Sequence, residues 1–169
     1  MTARSFVVRR LTAEDADEYR ALRLEGLSRH PEAFGASYAD DARRTLAEWR
    51  ERLTRSAIFG AFRDESLVGT AGLFRERAEK LRHKAVLVGV YVRDEARGDG
   101  LGRALVEAVI AEARGKAEQL LATVGADNEG ARRLYEALGF KTWGLQPRSL
   151  KIGERYVDEA ELVLFLGET

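Results

Sequence analysis

The stretch from Val86 to Val92 constrains this chain more than any other. Six of its seven residues are apolar, with Gly89 as the one interruption, and a turn carrying glycines at 98, 100 and 102 follows it. An apolar run of this length predicts a strand covered on both faces, and therefore a sheet with helices above and below it. The glycines let the backbone approach a ligand closely and gather its N–H groups into one concavity. The apolar-periodic stretch from Leu101 to about Arg114 predicts a helix behind the turn, whose first N–H groups and dipole favour an anion. Such a turn suits a pyrophosphate, although three glycines by themselves also make an ordinary tight strand-to-helix connection. The third glycine falls one residue short of a dinucleotide-binding Gly-x-Gly-x-x-Gly, with Arg103 in its place, and the Gly-Lys-Ser/Thr ending of a P-loop is missing.

The remaining elements arrange themselves around this one. Phe6 to Arg9 predicts a first strand, and Thr12 with Asp15 a helix start, with Ala16, Tyr19, Leu22 and Leu27 at helical spacing up to about Arg29. His30-Pro31 breaks that helix and a loop runs to Arg44. Thr45 and Glu48 form a capping-box pair ahead of a short helix carrying Leu46, Trp49 and Leu53. Ile58–Phe62 and Leu67–Phe74 flank the polar turn Asp64-Glu65-Ser66 as a hairpin. Leu120–Val124 predicts a further buried strand. Ala131, Leu134, Tyr135 and Leu138 trace a helix that Gly139 ends, and Phe140–Leu145 and Tyr156–Leu166 close the chain as strands. The expected fold class is α/β (α+β), in the order βααβββαβαββ, as one domain over residues 1–169.

Composition narrows the function classes. The 28 Lys and Arg balance 28 Asp and Glu, so no overall charge draws the chain to nucleic acid or an anionic membrane. With no cysteine, disulfides, thiolate metal sites and a cysteine nucleophile are excluded. The two histidines, His30 and His83, stand in no metal-ligand spacing, and Gly35-Ala36-Ser37-Tyr38-Ala39 lacks the last glycine of a nucleophile elbow. No metal and no hydrolytic triad is expected. No apolar run approaches membrane-spanning length and no signal peptide is evident, so a cytoplasmic location is expected.

Two segments carry a family resemblance. Arg97-Gly98-Asp99-Gly100-Leu101-Gly102, at the end of an apolar strand, resembles the Arg/Gln-x-x-Gly-x-Gly/Ala pyrophosphate turn of the GCN5-related N-acetyltransferases (GNAT). Asn128-Glu129-Gly130-Ala131-Arg132-Arg133-Leu134-Tyr135, running on to Gly139-Phe140, resembles that family's Asn-x-x-Ala-x-x-Leu-Tyr-x-x-x-Gly-Phe segment. Alone, Asn128 is a helix cap and Tyr135 a core residue with its hydroxyl satisfied. The likeness spans roughly Val86 to Phe165.

The resemblance implies a mixed, mostly antiparallel sheet of about seven strands flanked by about four helices. It implies transfer of an acetyl group from acetyl-CoA to an amine by direct attack, without an acyl-enzyme. Val90, Tyr91 and Val92 would splay from the neighbouring strand and pair with the pantetheine arm, the Val90 N–H polarising the thioester carbonyl. Arg97, Gly98, Asp99, Gly100, Leu101, Gly102 and Arg103 would hold the pyrophosphate, and Asn128 and Ala131 would contact pantetheine. Tyr135, with an ordinary pKa of about 10, would protonate the leaving thiolate. The strand carboxylate that serves many relatives as base is missing, leaving His83 as a candidate through a water chain, with Asp158 and Glu159 as rivals. The acceptor would approach between loops His30–Arg44 and Gln146–Arg155, where Glu32, Phe34, Tyr38 and Tyr156 could meet a cationic amine. A small-molecule acceptor leads; a peptide amine and a non-catalytic acyl-CoA-binding module are the alternatives. Family precedent also extends to homodimers.

Overall fold

The computed structural model describes residues 5–167. Seven strands form one sheet: β1 (Val7–Arg10), β2 (Ala57–Arg63), β3 (Ser66–Arg75), β4 (Lys84–Val92), β5 (Gln119–Gly125), β6 (Lys141–Ile152) and β7 (Arg155–Phe165). Their spatial order is β1-β2-β3-β4-β5-β7-β6, and only β4 and β5 run parallel. Five helices accompany them: α1 (Ala16–Arg29), α2 (Tyr38–Ala42), α3 (Leu46–Arg55), α4 (Leu101–Ala113) and α5 (Glu129–Ala137).

Local chemistry explains most boundaries. Glu48 accepts the Thr45 N–H (2.6 Å) while the Thr45 hydroxyl accepts that of Glu48 (3.3 Å), the reciprocal cap expected at α3. The β2–β3 turn places Asp64 and Glu65 at φ of 47° and 64°, the twist that a two-residue hairpin needs. Helix α2 adds to the expected order. Ser37 caps it by accepting the Asp40 N–H, and its five residues gain their place by burying Asp41 rather than through any apolar period visible in the sequence.

Both faces of the sheet are covered, as the apolar β4 requires. Leu101, Leu105, Val106, Val109 and Ile110 of α4 pack with Ala85, Leu87, Leu120 and Leu162 on one side. Tyr19, Leu22 and Leu27 of α1 pack with Trp49 and Leu53 of α3, Leu67 and Tyr91 on the other.

Two irregularities shape the site. The β4–β5 ladder consists of Lys84↔Gln119, Ala85↔Leu120 and Val86↔Leu121 and goes no further, so the strands part beyond Val86 and Leu121. Opposite Ala71 of β3, strand β4 carries two residues, Gly89 and Val90, in a bulge with Gly89 at φ +60°.

The segment expected to be a loop, Gln146–Arg155, is mostly strand. β6 continues to Ile152, with a bulge between Gln146↔Glu159 and Leu150↔Val157. Pro147 has no N–H for a ladder, and Arg148 at φ +52° donates its N–H instead to the Asp158 carboxylate (2.7 Å).

Candidate active site

The parting of β4 from β5 opens a cleft of about 1190 Å3 that runs from the glycine turn to β7. One wall is the edge of β4 from Leu87 to Val92, whose backbone has no ladder partner on the β5 side. An unpaired strand edge is available to any extended ligand with alternating donors and acceptors. The bulge at Gly89 turns that edge, and a glycine in the middle of an apolar strand is the sequence signal for it.

At one end lies the turn ahead of α4. Gly98 and Gly100 take φ of +90° and +83° and line the cleft mouth at the start of α4, where the first N–H groups and the helix dipole lie. Of the expected residues, Arg97, Gly98, Gly100, Leu101 and Gly102 line the cleft, whereas Asp99 and Arg103 do not. Asp99 accepts from the buried Arg63 at 2.6 Å, which ties the turn to β2 and neutralises a carboxylate beside the start of α4. Arg103 pairs with Glu107 one helical turn on, at 2.9 Å. Arg97 is itself engaged, donating to the Val92 carbonyl (3.1 Å) and pairing with Asp94 (3.0 Å). With both arginines engaged, what the turn offers to the cleft is its backbone N–H groups.

Helix α5 supplies the opposite wall with Asn128, Ala131, Leu134 and Tyr135. The Asn128 side chain accepts the Ala131 N–H (3.2 Å) as a helix cap, leaving its amide nitrogen for the cleft. Tyr135 is 5% exposed, and its hydroxyl has no hydrogen-bond partner among the described residues. Burial pushes this phenol up to about 12, so it is fully protonated at neutral pH.

Tyr91 lines the same wall as Val90 but turns its ring away, toward α1, where its hydroxyl donates to Glu25 (3.1 Å). Burial first, and Glu25 second, raise it to about 12. Only its backbone is offered to the cleft. Gly26 permits this packing: a Cβ there would lie 3.1 Å from both the Phe34 and Tyr91 rings.

The acceptor end is built differently from the expectation. His83 precedes β4 at the closed end of the β4–β5 pair, where its carbonyl accepts the Glu118 N–H, and it does not line the cleft. Val90 lies seven residues further along the strand, about 23 Å at strand rise, so a relay from His83 would need a chain of several waters from outside the cleft. His30 does line the cleft, near Asp94 (3.3 Å) and Glu32 (3.5 Å). Phe34 is buried beneath the Arg23 guanidinium, 4.8 Å from its ring centroid. Tyr156 is half exposed, with Arg148 and Lys151 at 5.0 and 5.5 Å from its ring centroid, so the chain's own cations already meet the face expected for a cationic amine. Asp158 and Glu159 line the cleft, Asp158 holding the Arg148 N–H and Glu159 the Ser149 hydroxyl.

Arg23 went unrecognised in the sequence, yet a signal was there. It falls four residues after Tyr19 on the helix stripe that also holds Leu22, Gly26 and Leu27, a cation among buried positions.

An open sheet split between its single pair of parallel strands, with a glycine turn and helix start at the mouth of the split, defines the acetyltransferase class of α/β folds. Residues 20–140 match the model of the acetyltransferase (GNAT) family, and the chain belongs to that family. It is 35% identical over 147 residues to a mycothiol acetyltransferase of Streptomyces scabiei, covering 85% of this chain but 44% of that protein. The chain thus spans under half the length of that relative. Among solved structures, a ribosomal-protein-alanine N-acetyltransferase from Brucella melitensis superposes with a TM-score of 0.82 at 27% identity, over 94% of this chain and 99% of that one. The putative acetyltransferase YncA from Salmonella typhimurium, solved with its cofactor acetyl-CoA, shares the fold with a TM-score of 0.82 at 23% identity, over 97% and 95% of the two chains.

Proposed function

We propose that the chain is an acetyl-CoA-dependent N-acetyltransferase acting on a primary amine of a small molecule. The observation that carries this reading is the unpaired edge of β4, which leads from the glycine turn toward Tyr135 and β7 within one cleft.

The residues fit acetyl-CoA on their own chemistry. The Gly98–Gly102 turn and the start of α4 offer N–H donors to a pyrophosphate, and the β4 edge offers alternating N–H and C=O groups to the amides of pantetheine. When bound, acetyl-CoA supplies an acetyl group activated as a thioester. The chain's part is to orient and to move protons. The Val90 N–H would donate to the thioester carbonyl oxygen, as a preorganised donor on the cleft wall. Transfer to the acceptor amine would form the new C–N bond as the thioester C–S bond breaks, with the Tyr135 hydroxyl placed to give its proton to the departing sulfur. The amine's own proton leaves through the open cleft along Asp158 and Glu159 and restores Tyr135 by way of solvent, so protons balance. A phenol raised to about 12 stays a donor throughout the working range.

A peptide amine is the second reading, favoured by the Brucella neighbour, whose name states a ribosomal-protein substrate. Calorimetric titration with acetyl-CoA, paired with thiol-release assays on small amines and on peptides, tests both. Saturable binding with thiol release on small amines is the expected result. Binding without release on any amine would leave an acyl-CoA-binding module, release on peptides alone would favour the second reading, and no binding would refute all three.

A further inference from the structure

We infer that the acceptor carries a carboxylate within a few bonds of its reacting amine, as an amino-acid-like small molecule does, and that Arg23 is the residue that recognises it. This rests on the acetyltransferase reading above and narrows its acceptor.

Arg23 is nine-tenths buried, yet lines the cleft. Its Nε donates to Asp41 at 3.0 Å, and the ring of Phe34 lies under the guanidinium at 4.8 Å. Asp41 is 1% exposed and also accepts from Arg44 at 3.0 Å. Arg23 is thereby held in one orientation with its outer edge unused. Neither Nη1 nor Nη2 has a hydrogen-bond partner among the described residues. Both nitrogens are therefore open to the cleft rather than enclosed, and a flat fork of this kind matches a carboxylate through two parallel bonds. Charge agrees with this. Asp41 is the ion-pair partner that Arg23, Arg44 and Arg52 share, the last at 4.0 Å, with Glu48 and Glu51 on the outer side of the cluster, and Arg52 also lines the cleft. On the cleft side the Arg23 fork has no anion facing it among the described residues.

Position sets where the carboxylate must be. Arg23 Nη1 lies 3.1 Å from the point a Cβ on Gly89 would occupy, so it sits against the β4 bulge. Gly89 adjoins Val90, whose N–H is assigned to the reacting carbonyl, and adjacent Cα atoms are about 3.8 Å apart. An amine attacking at that carbonyl has its carboxylate within reach of Arg23 only when few bonds separate the two groups. A peptide amino terminus offers an amide there instead.

The test compares amino acids with their carboxamides. In thiol-release assays at saturating acetyl-CoA, at least one amino acid should exceed its carboxamide in kcat/KM by about 10-fold or more, the difference lying in KM. In the double variant Arg23→Met/Asp41→Asn, which removes both charges of the buried pair and so leaves neither stranded, the ratio should fall to within about two-fold. Titration of each protein with acetyl-CoA reports whether the cleft is folded, and loss of that binding in the wild type would refute the acetyltransferase reading rather than this one. A second readout needs no turnover: with CoA present, N-acetylamino acids should bind by calorimetry more tightly than N-acetylamino-acid amides. Equal handling of acids and amides in both readouts, or a preference that survives in the double variant, overturns the assignment of Arg23.

Discussion

Replacing Gly89 with alanine would strain the backbone at the β4 bulge beside the proposed chemistry. Gly89 takes φ +60° at the β4 bulge, and an added Cβ would lie 3.1 Å from Nη1 of Arg23, which Asp41 holds at 3.0 Å and cannot readily release. Left-handed backbone costs an L-residue about 1–2 kcal/mol, offset by about 0.4–1 kcal/mol because alanine has less freedom than glycine when unfolded. The crowded guanidinium adds to the remainder, giving a net loss of about 1–2 kcal/mol. In a domain of this size that lowers Tm by about 2–8 °C. Relief of the strain by flattening the bulge would also shift Val90, and a displacement near 1 Å at a reacting centre lowers kcat/KM by about 100-fold. Gly153→Ala is the matched control: φ is again +60°, nothing lies within 4 Å of the new Cβ, and the site is outside the cleft. Differential scanning fluorimetry of both variants, with thiol-release kinetics, separates the effects. Gly153→Ala should lose stability alone, and Gly89→Ala both stability and turnover. Equal kinetic loss in the two, or wild-type kinetics in Gly89→Ala, would refute the argument that the bulge sets the geometry of Val90.

Three further outcomes are expected. Tyr135→Phe removes only the hydroxyl and should lower kcat by about 100-fold or more while acetyl-CoA affinity by calorimetry stays within about three-fold. The pH profile of kcat should rise until the acceptor amine is neutral and then stay flat to about pH 10, because the Tyr135 phenol, raised to about 12, keeps its proton over that range; a decline beginning near pH 8 would remove Tyr135 as the donor. Asp41 opposes burial with bonds from Arg44 and Arg23 that together hold its carboxyl below the ordinary range. A lowered carboxyl stabilises the fold above its unfolded pKa of about 4 and loses that contribution as pH falls through the lower folded value. Thermal unfolding followed from pH 7 to pH 3 should therefore show an acid-induced drop that is smaller in Asp41→Asn, and an equal drop in both would show that the buried cluster does not contribute.

Much of the architecture was legible because it rests on short-range rules. The apolar run of β4, the Thr45–Glu48 cap, the Asp64-Glu65 turn and the Gly139 helix stop are encoded within a few residues each, and all four stand in the structure where the sequence places them. Helix α2 escaped because its anchor, Asp41, is a charged residue whose burial depends on Arg23, 18 positions away. The length of β6 escaped because Pro147 reads as a loop until the Asp158 carboxylate is seen to accept the Arg148 N–H that the ladder leaves over.

For the candidate site, the sequence alone located the glycine turn and the α5 segment with Asn128 and Tyr135, since each is a contiguous run that resembles a family motif. Only the tertiary structure decided which of their neighbours face the cleft. It turned Asp99 toward Arg63 and Arg103 toward Glu107, left His83 at the closed end of the sheet, and brought Arg23 from α1 against the bulge of β4. The physical reason is that a side chain's ionic partner and exposure depend on what the sheet and helices bring beside it. Those contacts join residues far apart in the chain, and no local spacing records them.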